Sequence, residues 1–155
     1  MTNVRTGLEV LLDDPALLGD RPWALLANHA AVTAALDPAR TVLRRVVPGA
    51  LVRLFAPEHG LDGLAQDMEA VGDETDSLTG ASVRSLYGTD PSTLEPSDGD
   101  LEGVEVLLVD LPDIGCRYYT YAATMDAAMA SCERVGVSVV VLDRPNPVGG
   151  LVREG

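Results

Sequence analysis

Lysine is missing from this chain of 155 residues: all 11 basic side chains are arginine, set against 24 aspartates and glutamates, for a formal net charge of -13. A surface of that sign repels nucleic-acid phosphates and acidic lipid headgroups, so neither nucleic acid nor a membrane is expected as a partner. Cysteine is scarce as well. Cys116 and Cys132 have no metal-ligand spacing around them and read as reduced core residues rather than a disulfide. His29 and His59 are the only histidines, and two imidazoles without a third nitrogen or sulfur ligand argue against a metal site. No segment approaches the roughly 20 apolar residues of a membrane span. Leu8, Val10, Leu11 and Leu12 are interrupted by Glu9 and flanked by Asp13, so no secretory segment is read and a cytoplasmic location is expected. Gly-x-Gly-x-x-Gly and Gly-Lys-Ser/Thr loops are absent, which speaks against a nucleotide cofactor, and without a Gly-x-Ser-x-Gly elbow a serine esterase is disfavoured.

What is present is apolar sequence in short runs. Hydrophobic residues make up 46% of the chain, enough for one domain with a substantial core. Trp23 to Ala27, Leu51 to Phe55, Val104 to Val109 and Val137 to Leu142 are continuous rather than alternating, the pattern of buried parallel strands. Between the first two, Asp37-Pro38 reads as a helix start, with Val42, Val46 and Val47 as its apolar face and Pro48-Gly49 as its stop. Between the last two, Tyr118, Tyr121, Met125, Met129, Cys132 and Val135 recur at helical spacing and Gly136 follows as a C-cap. Alternating strands and helices predict an α/β fold, a Rossmann-like doubly wound and mostly parallel sheet. Leu61 to Asp100 interrupts the rhythm and reads as a long loop or lid, with only Val83 to Tyr87 strand-like.

In such sheets ligands bind beyond the carboxyl ends of the strands. The residues that follow the four runs are Asn28 and His29, then Glu58 and His59, then Asp110, Asp113 and Arg117, then Asp143 and Arg144. Asn28, Glu58, Asp110 and Asp143 are therefore expected along one edge. A carboxyl such as Glu58, on a bend fixed by Pro57 and Gly60, is placed to protonate a leaving oxygen, and glycosidases pair such an acid with a second carboxylate. Asp110 and Asp113 are candidates for that second role. The bland alternatives are a cap or salt bridge for Glu58 and a helix cap for Asp113. Arg117 and Arg144 suit a substrate carboxylate, and an ion pair with a neighbouring aspartate is an equal reading of Arg144.

Four motifs carry a family resemblance: Leu54-Phe55-Ala56-Pro57-Glu58-His59-Gly60, Ser85-Leu86-Tyr87-Gly88, Asp110-Leu111-Pro112-Asp113-Ile114-Gly115-Cys116-Arg117-Tyr118-Tyr119-Thr120-Tyr121, and Leu142-Asp143-Arg144-Pro145-Asn146-Pro147. In this order they resemble the exo-β-N-acetylmuramidase family, formerly a domain of unknown function. The resemblance implies a Rossmann-like N-terminal domain, here residues 1–155, followed in the family by a smaller C-terminal domain that this chain does not include, with the active site between the two. It implies release of terminal N-acetylmuramic acid from peptidoglycan saccharides with no nucleotide or metal cofactor. It makes Glu58 the catalytic residue, with His59 in the same motif, and matches Asn28, His29, Arg117, Tyr119 and Tyr121 to motif positions; with Asp110, Asp113 and Arg144 from the strand ends, these are the residues expected around the substrate. Pro112 stands where the family has glutamine, Ala27 and Ala30 where it has threonines, and Arg84 where an aromatic is common. The competing expectation is a carbohydrate-binding domain of the same fold without turnover.

Overall fold

A continuous apolar run is stable as a buried strand when both faces of its sheet are covered; three of the four runs make the centre of this protein and the fourth lies at the sheet's edge. The computed structural model describes residues 4–63, 74–88, 90–149 and 151–152. The strands are β1 (Trp23–Ala27), β2 (Leu51–Ala56), β3 (Glu74–Thr75), β4 (Ser82–Ser85), β5 (Val106–Asp110) and β6 (Ser138–Val141). They form one sheet in the order β3-β4-β2-β1-β5-β6, parallel throughout except for the short antiparallel β3. This is an α/β fold with a mostly parallel sheet.

The period-2 geometry of a strand sorts its side chains to opposite faces. Trp23, Leu25 and Ala27 of β1 join Val106 and Leu108 of β5 in one core, against Leu8 and Leu11 of α1 (Gly7–Asp13) and Leu43 of α2 (Ala39–Val46). Ala24 and Leu26 join Leu107 and Val109 in the other, against Ala128 and Cys132 of α3 (Tyr121–Val135). Burial of the Cys132 thiol pushes its pKa up to about 11, so it stays a protonated apolar group, and both cysteines are free.

Several details differ from the sequence reading, each for a local reason. Helix α1 is closed by a capping box: the Glu9 N–H donates to Thr6 Oγ1 at 3.2 Å and the Thr6 N–H to Glu9 Oε2 at 2.8 Å. At α2 the N-cap position belongs to Pro38, which has no side chain to bond the first turn, and Asp37 lies outside the helix. Leu43 is the buried contact there, while Val46 is exposed. Helix α3 begins at Tyr121, so Tyr118 precedes it and is 82% exposed, and the buried stripe runs through Tyr121, Ala128, Ser131 and Cys132, with Met129 and Val135 exposed. Gly136 ends α3 with φ 76, in the left-handed region that glycine tolerates best.

Within 61–100 the described residues contain β3, β4 and two 3-10 turns, Pro91–Thr93 and Asp98–Leu101; residues 64–73 and 89 of this stretch lie outside the described residues. Asp100 fastens the segment to the sheet. Its Oδ1 accepts from Arg53 Nη1 at 2.6 Å, its Oδ2 accepts from the Ser97 hydroxyl at 2.6 Å and N–H at 3.0 Å, and Arg84 Nε lies 3.4 Å from Oδ2. Burial would raise this carboxyl, but the Ser97 hydrogen bonds and then Arg84 and Arg53 outweigh it and hold it below its ordinary value of 3.8. A group depressed on folding contributes stability above its unfolded pKa and loses it as pH falls through the folded one. Asp100→Asn is therefore expected to flatten the loss of stability below pH 3.8. Urea midpoints of wild type and variant at pH 6 and at progressively lower pH measure it; curves that stay parallel would show that Asp100 is not a source of the acid sensitivity.

Candidate active site

All four polar turns leave the same edge, because β2, β1, β5 and β6 run parallel. The turn after β2 is the tightest. The Gly60 N–H donates to Pro57 O at 3.0 Å, which makes Glu58 and His59 the two central residues of the turn. His59 has φ 71, the positive value that a type II turn requires at its third residue and that glycine normally supplies. A histidine held there is strained by roughly 1–2 kcal/mol, and such strain gathers at functional sites. His59→Gly removes the strain at some cost in chain entropy, so stability is expected to hold or rise by up to about 1 kcal/mol. A chemical denaturation curve checks this, and a clear drop in stability would show that the imidazole itself holds the turn.

Glu58 is half-buried and anchored from the start of α3. The Thr120 hydroxyl donates to Glu58 Oε2 at 2.9 Å, and the Tyr121 hydroxyl donates to the Glu58 backbone carbonyl at 3.3 Å. Thr120 stands at the N-cap position of α3, yet its hydroxyl bonds Glu58 rather than the helix. Glu58, His59 and residues 118–121 line a cleft of about 210 Å3. The rings of Tyr119 and Tyr121 sit 4.5 Å apart, tilted by 57°. Burial, followed by the neighbouring Tyr121, raises the Tyr119 pKa, so its phenol remains a hydrogen-bond donor.

Tyr119 also faces a second cleft of about 590 Å3, lined by Asp113, Cys116, Arg117 and Asn146 among others. Asp113 caps no helix: its Oδ1 accepts from the Gly115 N–H and its Oδ2 from Asn146 Nδ2, both at 3.1 Å. Arg117 is exposed.

Asp110 and Arg144 find each other. Asp110 is fully buried, and Arg144 grips it with two bonds, Nε to Oδ1 at 2.6 Å and Nη2 to Oδ2 at 2.9 Å, while Nη2 also reaches Val32 O at 3.0 Å. Arg144 thus forms an ion pair with a neighbouring aspartate. Burial raises the Asp110 carboxyl above its ordinary value and Arg144 only partly offsets this; the same bond raises Arg144. Asn28 is buried at the end of β1. Its Oδ1 accepts from the Ala30 N–H at 3.0 Å, which fixes the amide orientation, and its Nδ2 has no hydrogen-bond partner among the described residues. His29 is exposed and lies over Gly63, where φ is 68 and where any Cβ would run into the imidazole ring.

The structure thus brings Glu58, His59, Tyr119 and Tyr121 into one cleft and Asp113 and Arg117 into its neighbour, whereas Asn28, His29, Asp110 and Arg144 line neither. Thr120 is the residue that reading the motifs one side chain at a time passes over. Its signal is a hydroxyl at the first turn of the helix that follows a rim strand. Among the described residues no three His, Cys, Asp or Glu side chains are grouped to hold a metal ion, and no helix is long and apolar enough to cross a membrane.

These features define a doubly wound α/β domain whose polar residues collect at the carboxyl edge of its sheet. Residues 23–155 match the family described as exo-β-N-acetylmuramidase NamZ, N-terminal, and the chain belongs to that family. It is 41% identical over 154 residues to the peptidoglycan β-N-acetylmuramidase NamZ of Bacillus subtilis (strain 168), covering 98% of this chain and 36% of the relative. A crystal structure of a DUF1343 family protein from Bacteroides fragilis NCTC 9343 superposes with a TM-score of 0.84 at 37% identity over 96% of this chain. A second from the same organism superposes with a TM-score of 0.72 at 27% identity over 94%. The chain spans 36% of the length of each of these relatives.

Proposed function

We propose that this chain forms the glutamate-bearing part of an exo-acting glycoside hydrolase that releases terminal N-acetylmuramic acid from peptidoglycan fragments. The observation that carries the reading is the setting of Glu58: a carboxyl just beyond the end of a sheet strand, lining a cleft, with one oxygen held by the Thr120 hydroxyl. Membership of the muramidase family supports it. In this reading Thr120 fixes the plane of the carboxyl through Oε2, and Oε1 delivers the proton to the departing glycosidic oxygen. His59, Tyr119 and Tyr121 contact the sugar with donors and ring faces. Arg117 meets the lactyl carboxylate from the adjoining cleft, where a planar guanidinium can offer paired donors. The Asp110–Arg144 pair holds the turns after β1, β5 and β6 together and so positions the rim.

A second reading, a saccharide-binding domain without turnover, is favoured by one observation: both candidates for the second carboxylate, Asp110 and Asp113, have their oxygens engaged internally. Incubating the full gene product with a disaccharide that ends in N-acetylmuramic acid, and following free sugar, separates the two. Release of N-acetylmuramic acid supports the hydrolase. Saturable binding with no release would replace it with the binding domain.

A further inference from the structure

Glu58 also lines a second recess, of about 370 Å3, and the chemistry of that recess is different. Its walls are Leu86 and Tyr87 beyond β4, Leu94 beyond the Pro91–Thr93 turn, and Ala123 and Ala127 on α3; Thr120 and Thr124 supply hydroxyls. Ala123 and Ala127 are four residues apart on one helix face, and a larger residue at either position would project into the recess. Leu94, 42% exposed, is an apolar group in the wall of a recess that Glu58 also lines.

We propose that this recess is the subsite for the acetamido group of the sugar whose bond is broken, with the methyl against Leu86, Leu94 and the two alanines. The assignment rests on the hydrolase reading above. N-Acetylmuramic acid carries two substituents that a plain hexose lacks, a neutral acetamido ending in a methyl and a lactyl ether ending in a carboxylate. The carboxylate would lose its hydration against an apolar wall whose described residues include no cation, and would face the Glu58 carboxyl. The acetamido offers a methyl to bury and an amide N–H that the Thr120 or Thr124 hydroxyl oxygen can accept, their own protons going to Glu58 Oε2 and to the Thr120 carbonyl. A hydroxyl has one donor and two acceptor positions, so Thr120 can serve Glu58 and the amide together. The volume lies at the low end for small-molecule sites, which fits one substituent and part of its ring.

The test compares two muramic-acid-terminated disaccharides that differ only in N-acetyl against N-formyl, so that a single methyl is varied. The full gene product is expected to prefer the acetylated substrate by about 10-fold or more in kcat/KM, the range a buried methyl gives. Ala127→Leu, which fills the recess, is expected to remove that preference mainly by lowering kcat/KM on the acetylated substrate, with the formylated one changed far less. Leu94→Ala, at an exposed position with little bearing on folding, is expected to reduce the preference several-fold. If both substrates fall in parallel, or the ratio stays unchanged in the variants, the subsite assignment is overturned while the hydrolase reading stands. Should Ala127→Leu fail to fold, the ratio measured with Leu94→Ala decides alone. If wild type releases neither sugar, the hydrolase reading fails and the subsite fails with it.

Discussion

Glu58→Gln is expected to lower kcat for release of N-acetylmuramic acid by about 10²–10⁴-fold, the contribution typical of general acid catalysis. Glutamine keeps the size of the side chain and an oxygen for the Thr120 hydroxyl, but it has no transferable proton. Because Glu58 is half-buried and glutamine keeps an oxygen for the Thr120 hydroxyl that holds it, the melting temperature should barely move. A loss in kcat with KM little changed would mark an interaction made chiefly in the transition state. Wild type and variant are compared as full gene products under identical conditions. If kcat stays near normal, proton transfer belongs to another group, and Asp113, which lines the adjoining cleft, comes before the buried Asp110.

Asp110→Ala is expected to cost about 3–5 kcal/mol of folding stability, because it strands the Arg144 guanidinium in a buried setting without its partner. Replacing both partners with apolar residues, Asp110→Leu with Arg144→Met, should recover much of that loss. Urea unfolding of the single and double variants gives the comparison, and a single variant within about 1 kcal/mol of wild type would mean the pair is held by neighbours that compensate. The pH dependence has an unusual sign. The Asp110 carboxyl is raised on folding, mainly by burial, so the folded state binds its proton more readily than the unfolded chain does. Its contribution is greatest below the ordinary value of 3.8 and declines as pH rises through the raised folded value. Asp100 does the reverse, and the two effects can be separated by measuring Asp110→Asn and Asp100→Asn over the same acid range.

The sheet was readable in the sequence because its signal is redundant. In β1, for example, all five residues are buried, so an unbroken apolar run had no other low-energy use, and Trp23–Ala27 coincides with the reading. The edge on which Asn28, Glu58, Asp110 and Asp143 fall then follows from the parallel sense of the strands. Helix faces were less legible. Alanine and serine can lie on a buried face as well as leucine can, so Ala128 and Ser131 carry the α3 contact while the more conspicuous Met129 points outward. Side-chain pairing was the least legible. Nothing in the spacing of Asp110 and Arg144, or of Glu58 and Thr120, says that they meet, since each pair is brought together by loops from different strands. The left-handed backbone of His59 was equally hidden, because the turn chemistry that reveals such a position is normally written with glycine.

The sheet is also a ruler. Hydrogen-bonded strands lie roughly 4.8 Å apart, and β1 stands between β2, which carries Glu58, and β5, which leads into Asp110 and Asp113. Carboxylates that leave β2 and β5 therefore start roughly 10 Å apart at the backbone. The turns directly after β1 and β4, the nearest neighbours of β2, present Asn28 with His29 and Leu86 with Tyr87, none of them acidic. Retaining glycosidases hold their two carboxyls about 5–5.5 Å apart, whereas inverting ones leave about 6.5–9.5 Å for a water molecule. Strand order thus sets the starting span of any carboxylate pair drawn from the β2 and β5 turns, and the reach of the two side chains from that span decides between the two geometries.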